Sequence, residues 1–242
     1  MTISPSKPVP PRQALLIPLA IALCLGVLAS LAARFAAGLT LGLFFGTILL
    51  ATALLPALLI TRSSLHTAYA AAIFSFAAAA GWLPALLNDI IAPMQYLNCA
   101  VILLGYVLAL VGLAVLCRAM THSAIAATTI TLLLGTAWLT WPIWLANVVD
   151  SAQSPAIRFL APAHPLLAIN GVLRDLDFWG TSPLAYWLTH LRDYGHYALP
   201  SRSWPSPLLH IALAVACFLF AGILEPRPAA QPFSPGAYAG GA

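Results

Sequence analysis

Residues 96–117 read YLNCAVILLGYVLALVGLAVLC, and this stretch decides the fold class. None of its 22 residues is charged, and about 20 apolar residues in an α-helix are enough to span the hydrocarbon core of a bilayer. The run ends at Arg118, and basic residues commonly mark the cytoplasmic ends of spans. The stretch therefore predicts a membrane-crossing helix.

The composition of the whole chain points the same way. Of its 242 residues, 62% are hydrophobic and only 7% are charged, whereas soluble domains carry roughly a quarter charged residues. Disorder requires low hydrophobicity and high net charge, so it is excluded for the chain as a whole. The composition predicts an all-α, polytopic membrane helical bundle, because helices satisfy every backbone polar group within lipid.

Apolar runs divide the chain into six predicted transmembrane helices within a membrane domain at 14–225. The first 13 residues hold four prolines and are predicted to form a disordered cytoplasmic tail. Residues 226–242 are rich in proline, glycine and alanine and are predicted to form a second one. The predicted spans are about 14–33, 36–60, 65–87, 96–117, 123–148 and 207–224.

The basic residues predict the orientation. Both chain ends are expected in the cytoplasm, because that choice leaves mainly Arg34 and Asp89 in the short outer loops. The expected location is a bacterial cytoplasmic (inner) membrane, with the lipid bilayer as the surroundings. The net charge of +4 comes from scattered residues, so no nucleic-acid partner is predicted. The residues placed inside are Lys7, Arg12, Arg62, Arg118 and Arg227.

The segment 150–206 separates the last two spans and is too long for a simple turn. Residues 165–179 place apolar side chains at helical spacing, with Asn170, Arg174 and Asp175 among the remainder. A second unit begins at 181–183, where Thr-Ser-Pro is a plausible helix start. Both units are predicted to be short amphipathic helices lying in or dipping into the outer leaflet.

Span two contains Gly38, Gly42 and Gly46 at a four-residue period. Glycines at this spacing let two helix backbones approach closely in lipid. The partner is either another helix of the same chain or a second copy in a dimer, and the sequence leaves both open.

The chemistry-bearing residues exclude several classes of function. The predicted spans hold no charged residue away from their ends, which argues against ion-coupled transport. The outer residues His190, Asp193 and His196 match no strong zinc signature. No hydrolase or nucleotide-binding motif occurs, so no catalytic residue, metal or cofactor is predicted.

Proline breaks the pattern near the outer end of span five. Pro142 lies between Trp141 and Trp144 and predicts a kink there, followed by Asp150 at the start of the outer segment. Broken helices often mark functional cavities. A gate at this position is the functional hypothesis, and a purely structural kink is the alternative.

The stretch Pro162-Ala163-His164-Pro165-Leu166-Leu167-Ala168-Ile169-Asn170-Gly171-Val172-Leu173, together with the six-span layout, resembles the permease subunit of an ABC-2-type exporter. The resemblance implies a cytoplasmic ABC ATPase partner, a homodimer or heterodimer of permeases, and a lipid-like or amphiphilic substrate. It also implies ATPase contacts near Arg62 and Arg118. The gate and outer helices that it implies comprise Trp141, Pro142, Trp144, Asp150, His164, Pro165, Asn170, Arg174 and Asp175.

Two departures from the family pattern favour a different class of protein. The proline-rich first 13 residues supply no amphipathic interface helix, and residues 61–64 (TRSS) carry no acidic-glycine coupling motif. A non-catalytic membrane anchor or assembly subunit of a larger complex is therefore the second hypothesis.

Overall fold

A computed structural model describes residues 37–59, 64–144, 160–173 and 202–224. These residues are mainly helical, with no strand among them, so the all-α prediction is confirmed for this part of the chain. The helices are α1 (Ala37–Leu59), α2 (Ser64–Gly81), α3 (Leu83–Leu87), α4 (Pro93–Thr121), α5 (Ala124–Trp144), α6 (Pro165–Val172) and α7 (Pro205–Leu224).

Four stretches of the described chain are long and apolar enough to cross a membrane. They correspond to the third to sixth predicted spans. Predicted span two coincides with α1, whose described apolar part is the shorter Phe44–Pro56. Predicted span one, the two tails and the second outer helix lie outside the described residues. The four stretches are Thr67–Leu87, Pro93–Thr121, Ala124–Ile143 and Pro205–Leu224.

Helix α4 is the centre of the bundle and contacts α1, α2, α5, α6 and α7. Its middle is fully covered, with Ile102, Leu103 and Val107 each 0% exposed. The uncharged stretch that predicts a membrane helix therefore faces protein on most sides. Helices α5 and α7 instead expose large apolar side chains such as Leu133 and Leu219, as expected of surfaces that face lipid.

The closest helix pairing joins α4 to α7 through two glycines. A Cβ atom on Gly105 would lie 3.1 Å from the Cα of Pro207, and one on Gly112 would lie 3.1 Å from the carbonyl oxygen of Ala214. Both contacts are with backbone atoms, which cannot rotate away as a side chain would. Glycine at these positions is thus what allows the two helices to approach so closely.

The sequence hypothesis had placed close packing on α1 instead. A Cβ atom on Gly46 would meet nothing within 4 Å among the described residues. Gly38 and Gly42 lie in the α1 backbone, but their surroundings are not described. Close packing at Gly46 within the described part of the chain is therefore not observed.

One end of the bundle carries most of the long-range polar links. The Trp82 indole N–H donates to Thr47 Oγ1 at 3.3 Å and so joins the α2–α3 junction to α1. The Tyr96 hydroxyl, near the start of α4, donates to the carbonyl of Ala79 at 2.6 Å. The helices are therefore joined at this end by specific hydrogen bonds as well as by apolar contact.

Helix α6 belongs to this same end, and it is buried. Ala168, Ile169 and Asn170 are each 0% exposed, and the helix contacts α4, α1 and α7. Asn170, a polar residue of the predicted amphipathic helix, is therefore enclosed by protein. Neighbouring helices cover its side of α6, whereas Leu166 and Val172 remain partly exposed.

Candidate functional site at one end of the bundle

His164 organises the start of α6. Pro165 occupies the first helical position, where its missing N–H costs nothing. The His164 ring accepts a hydrogen bond through Nδ1 from the backbone N–H of Leu167 at 3.2 Å, which makes the imidazole an N-cap. An N-cap acceptor satisfies one of the donors that a helix start otherwise leaves without a partner.

The other ring nitrogen of His164 reaches helix α5. Its Nε2 lies 3.2 Å from the carbonyl oxygen of Leu139. A carbonyl only accepts, so Nε2 carries the proton and Nδ1 carries the lone pair used in the cap. The two bonds together select one neutral tautomer and join α6 to α5.

Pro142 leaves a backbone carbonyl of α5 without its usual helical hydrogen bond near His164. It lies inside α5 and has no N–H to offer the carbonyl of Trp138, four residues earlier. That carbonyl also raises the pKa of His164, against the larger effect of burial. The imidazole therefore lies beside the part of α5 where proline interrupts the helical hydrogen bonds.

Burial holds His164 in its neutral form. The ring is 1% exposed, and loss of hydration lowers its pKa to about 3, with the nearby His210 acting in the same direction. Hydrogen bonding to the Leu139 carbonyl opposes this shift but does not overcome it. Protonation would also place a hydrogen on Nδ1, the atom that accepts the hydrogen bond from the Leu167 N–H.

We expect acid to destabilise the protein through His164. Its pKa is near 6.5 in the unfolded chain and about 3 in the folded one, so the unfolded state binds more protons between these values. This contribution to stability is constant above pH 6.5 and falls by about 1.4 kcal/mol for each pH unit below it. The measurement is the midpoint of thermal unfolding in detergent from pH 7.5 to 4.5.

The control for this prediction is His164→Asn, which lacks the titrating group. The difference in unfolding midpoint between wild type and variant should narrow as the pH falls. A difference that stays constant across this range would show that His164 does not titrate on unfolding.

Aromatic rings surround the imidazole. Trp141 meets His164 edge-on, with ring centroids 5.7 Å apart, and Trp138 lies 5.8 Å away. Trp138 also approaches His210 of α7, with centroids 6.2 Å apart. His164, Trp138 and His210 thus form a continuous contact from α6 across α5 to α7.

The far end of α6 is attached to α4 by Gln95. Its amide nitrogen donates to the carbonyl of Val172 at 3.0 Å, while its amide oxygen accepts from the N–H of Ala92 at 2.9 Å. Ala92 has only a methyl side chain, so Gln95 supplies the side-chain hydrogen bond at the start of α4. Helix α6 is therefore held at its start by α5 and at its end by α4.

Asn170 is the anomalous member of the site. Its side chain is 0% exposed, yet neither Oδ1 nor Nδ2 has a hydrogen-bond partner among the residues that the structure describes. Within the same part of the chain, the indole N–H groups of Trp138 and Trp141 are likewise buried without acceptors. Buried polar groups are normally paired, and an unpaired one costs roughly 1–3 kcal/mol.

We therefore expect Asn170→Leu to stabilise the protein by about 1–2 kcal/mol, because it replaces an unpaired amide with an apolar group of similar size. Asn170→Asp is the matched contrast and should destabilise it, since a carboxylate buried without a partner is far more costly. Unfolding midpoints of the two variants in the same detergent test this. A loss of stability in Asn170→Leu would mean that the amide is paired in the folded protein.

A cavity of about 280 Å³ lies beside this cluster, between α4, α5 and α7. Seven of its ten lining residues have no polar side-chain atom, and the other three are Tyr106, Trp138 and His210. Aliphatic side chains of α5 and α7 form its walls. The lining consists of Tyr106, Ala109, Leu110, Leu113, Leu134, Gly135, Trp138, Leu209, His210 and Leu213.

The structure brings together five of the residues that the sequence assigns to the gate: Trp141, Pro142, His164, Pro165 and Asn170. Trp144 ends α5, and its side chain is not described. Asp150, Arg174, Asp175 and the ATPase-contact candidate Arg62 lie outside the described residues. Arg118 is half-buried in the last turn of α4, where a cation interacts favourably with the helix dipole.

Sequence reasoning missed His210, Tyr106 and Gln95. His210 lies close to the start of α7, and yet it is 3% exposed within the bundle. Its Nδ1 donates to the carbonyl of Ser206 at 2.7 Å. The spacing from Ser206 to His210 is one helical turn, and this was the available signal.

Among the described residues no three His, Cys, Asp or Glu side chains are grouped as a metal site would require. No family model, curated protein or solved structure matches the chain. The functional conclusion therefore depends on the site itself.

Proposed function

We propose that the chain is the membrane permease subunit of an ABC-2-type exporter, moving a lipid-like or amphiphilic substrate with a separate cytoplasmic ATPase. The observation that carries the proposal is the burial of α6 among α1, α4 and α7. A short helix inserted between two spans and packed into one end of a bundle suits a re-entrant gate. An interfacial helix that only anchors would keep a polar face in water.

The attachments of α6 suggest how such a gate would work. One hydrogen bond ties its start to α5 through His164, and another ties its end to α4 through Gln95. Rotation of α5 at Pro142 would break the first bond and separate Trp141 from the imidazole. Two local contacts would then decide whether the outer end is closed or open, as in other switches between packed arrangements.

The cavity supports the substrate class. It is lined almost wholly by aliphatic and aromatic groups, and α5 and α7 expose apolar side chains around it. A cavity with such walls suits an acyl chain or another apolar body far better than a hydrated ion.

The proposal keeps the six-span layout with both chain ends in the cytoplasm and two permease copies per transporter. Under this layout Ser182 lies outside. A cysteine placed there should react with an impermeant thiol reagent added to intact cells. Reaction only after lysis would reverse the orientation and remove the outer gate.

Purification of the tagged protein from its native host in mild detergent tests the function. A stoichiometric ABC ATPase, with ATP turnover raised by this subunit, is the expected result. Arg118→Glu should reduce recovery of the ATPase, whereas Met120→Glu is the control for adding a carboxylate near the same helix end. Recovery of redox or envelope-assembly subunits without an ATPase would overturn the permease proposal in favour of the membrane anchor.

A further inference from the structure

We propose that the cavity between α4, α5 and α7 binds a long-chain alcohol, a lipid whose apolar chain carries a hydroxyl group as its hydrogen-bond donor. This inference rests on the proposed function in taking the cavity as the place where a lipid-like molecule binds. It adds the polar chemistry that such a molecule must carry.

The hydroxyl proton of Tyr106 is already used in a hydrogen bond within the protein. Its hydroxyl lies 2.8 Å from Thr52 Oγ1, and that threonine donates its own proton to the carbonyl of Ile48 at 2.8 Å. Thr52 has only one hydroxyl hydrogen, so Tyr106 is the donor in the bond between them. The Tyr106 oxygen keeps lone pairs and has no proton to offer a ligand.

The ring N–H proton of His210 is likewise used in a hydrogen bond within the protein. Its Nδ1 lies 2.7 Å from the carbonyl of Ser206, which only accepts, so the proton of the neutral ring is on Nδ1. Its Nε2 then carries a lone pair that makes no hydrogen bond with the described residues. Edge-on contact with Tyr106, at a centroid distance of 5.4 Å, places the two acceptor-bearing rings side by side.

Trp138 supplies no donor that would change this pattern. Its indole N–H is covered by surrounding atoms, although the ring lines the cavity. The remaining lining side chains are aliphatic or glycine. The polar side chains among the lining residues therefore carry acceptor atoms and no available donor, so the complementary ligand group is a donor.

An alcohol is the donor that best fits these surroundings. An ammonium group would also donate, but its charge would lose its hydration in an apolar cavity without a carboxylate partner. The volume of about 280 Å³ is at the small end of ligand pockets and suits one chain better than a whole phospholipid.

The depth of the acceptors also agrees with a lipid hydroxyl. His210 follows the first residue of α7 by five positions, and Trp138 precedes the last residue of α5 by six. At 1.5 Å per residue, these positions lie about 7–9 Å from the ends of their helices. In helices that begin or end among the headgroups, such positions lie near the boundary between headgroups and acyl chains.

The experiment uses the purified full-length protein in phosphatidylcholine nanodiscs and a photoactivatable 16-carbon primary alcohol as the probe. Cross-links are expected on cavity residues of α5 and α7. Unlabelled 1-dodecanol should compete about fivefold more effectively than its methyl ether, because the ether keeps the chain and loses one hydrogen bond. Equal competition by the two compounds would overturn the proposal.

Two cavity variants and one control variant complete the test. Leu134→Trp fills the cavity and should reduce labelling about tenfold or more, whereas Leu133→Trp makes the same change on a neighbouring exposed residue outside the lining. Tyr106→Phe removes an acceptor and should narrow the preference for the alcohol over the ether. Labelling that survives Leu134→Trp would place the alcohol elsewhere.

The nanodisc experiment contains no ATPase, so its result does not depend on the copurification experiment. If the copurification recovers no ATPase but the labelling succeeds, the permease proposal fails and the alcohol site stands.

Discussion

Replacing Gly112 with leucine should separate α4 from α7 and destabilise the protein by about 3 kcal/mol, at the upper end of the usual cost of overpacking. Even a Cβ atom at this position would lie 3.1 Å from the carbonyl oxygen and 3.2 Å from the Cα of Ala214. The rest of a leucine side chain requires α7 to move as a unit. A decrease of about 10 °C in the midpoint of thermal unfolding in detergent is the expected result.

Gly46→Leu and Gly222→Leu are the matched controls, because a Cβ atom at either position meets nothing within 4 Å among the described residues. Both variants should unfold close to the wild-type temperature. A large loss of stability in Gly46→Leu, or a change in oligomeric state, would show that the α1 glycines contact another surface, as a dimer face requires. Near-wild-type stability of Gly112→Leu would contradict the close α4–α7 pairing.

Membrane spans were predictable because they depend on composition over about 20 residues, which hydropathy measures directly. Which glycines allow two helices to pack closely was not predictable. Gly38, Gly42 and Gly46 follow a recognised short period, whereas Gly105 and Gly112 are two glycines separated by seven positions in an otherwise continuous apolar run. Close approach depends on which helix lies opposite, and periodicity within one helix carries no such information.

The candidate site, like the helix packing, was only partly predictable from the sequence. Pro142 and the His164-Pro165 pair carry local signals, since proline marks both a break in a helix and the start of one. The burial of Asn170 was not predictable, because an amphipathic pattern shows which residues share a face and does not show what covers that face. The acceptor pattern of Tyr106 and His210 depends on hydrogen bonds to Thr52 and Ser206, and the Thr52 partner is distant in sequence.

His164→Ala should be the most disruptive single change at the end of the bundle where α6 packs. It removes the N-cap of α6, worth about 1 kcal/mol, and leaves the buried carbonyl of Leu139 without the His164 bond beside Pro142. It also creates space next to Trp138 and Trp141, whose rings contact the imidazole. Together these losses should cost about 2–4 kcal/mol, since a buried group deprived of its partner adds roughly 1–3 kcal/mol to the lost cap.

His164→Asn separates the two roles of the ring. Asparagine is among the best N-cap residues, so it should recover the hydrogen bond to Leu167 N–H, but its shorter side chain does not reach the Leu139 carbonyl. We expect a stability between those of wild type and His164→Ala in thermal unfolding. Hydrogen exchange should then show a protected start of α6 in His164→Asn and an exposed one in His164→Ala. If both variants lose the same stability and the same protection, the cap contributes nothing, and the bond between α6 and α5 alone stabilises the start of α6.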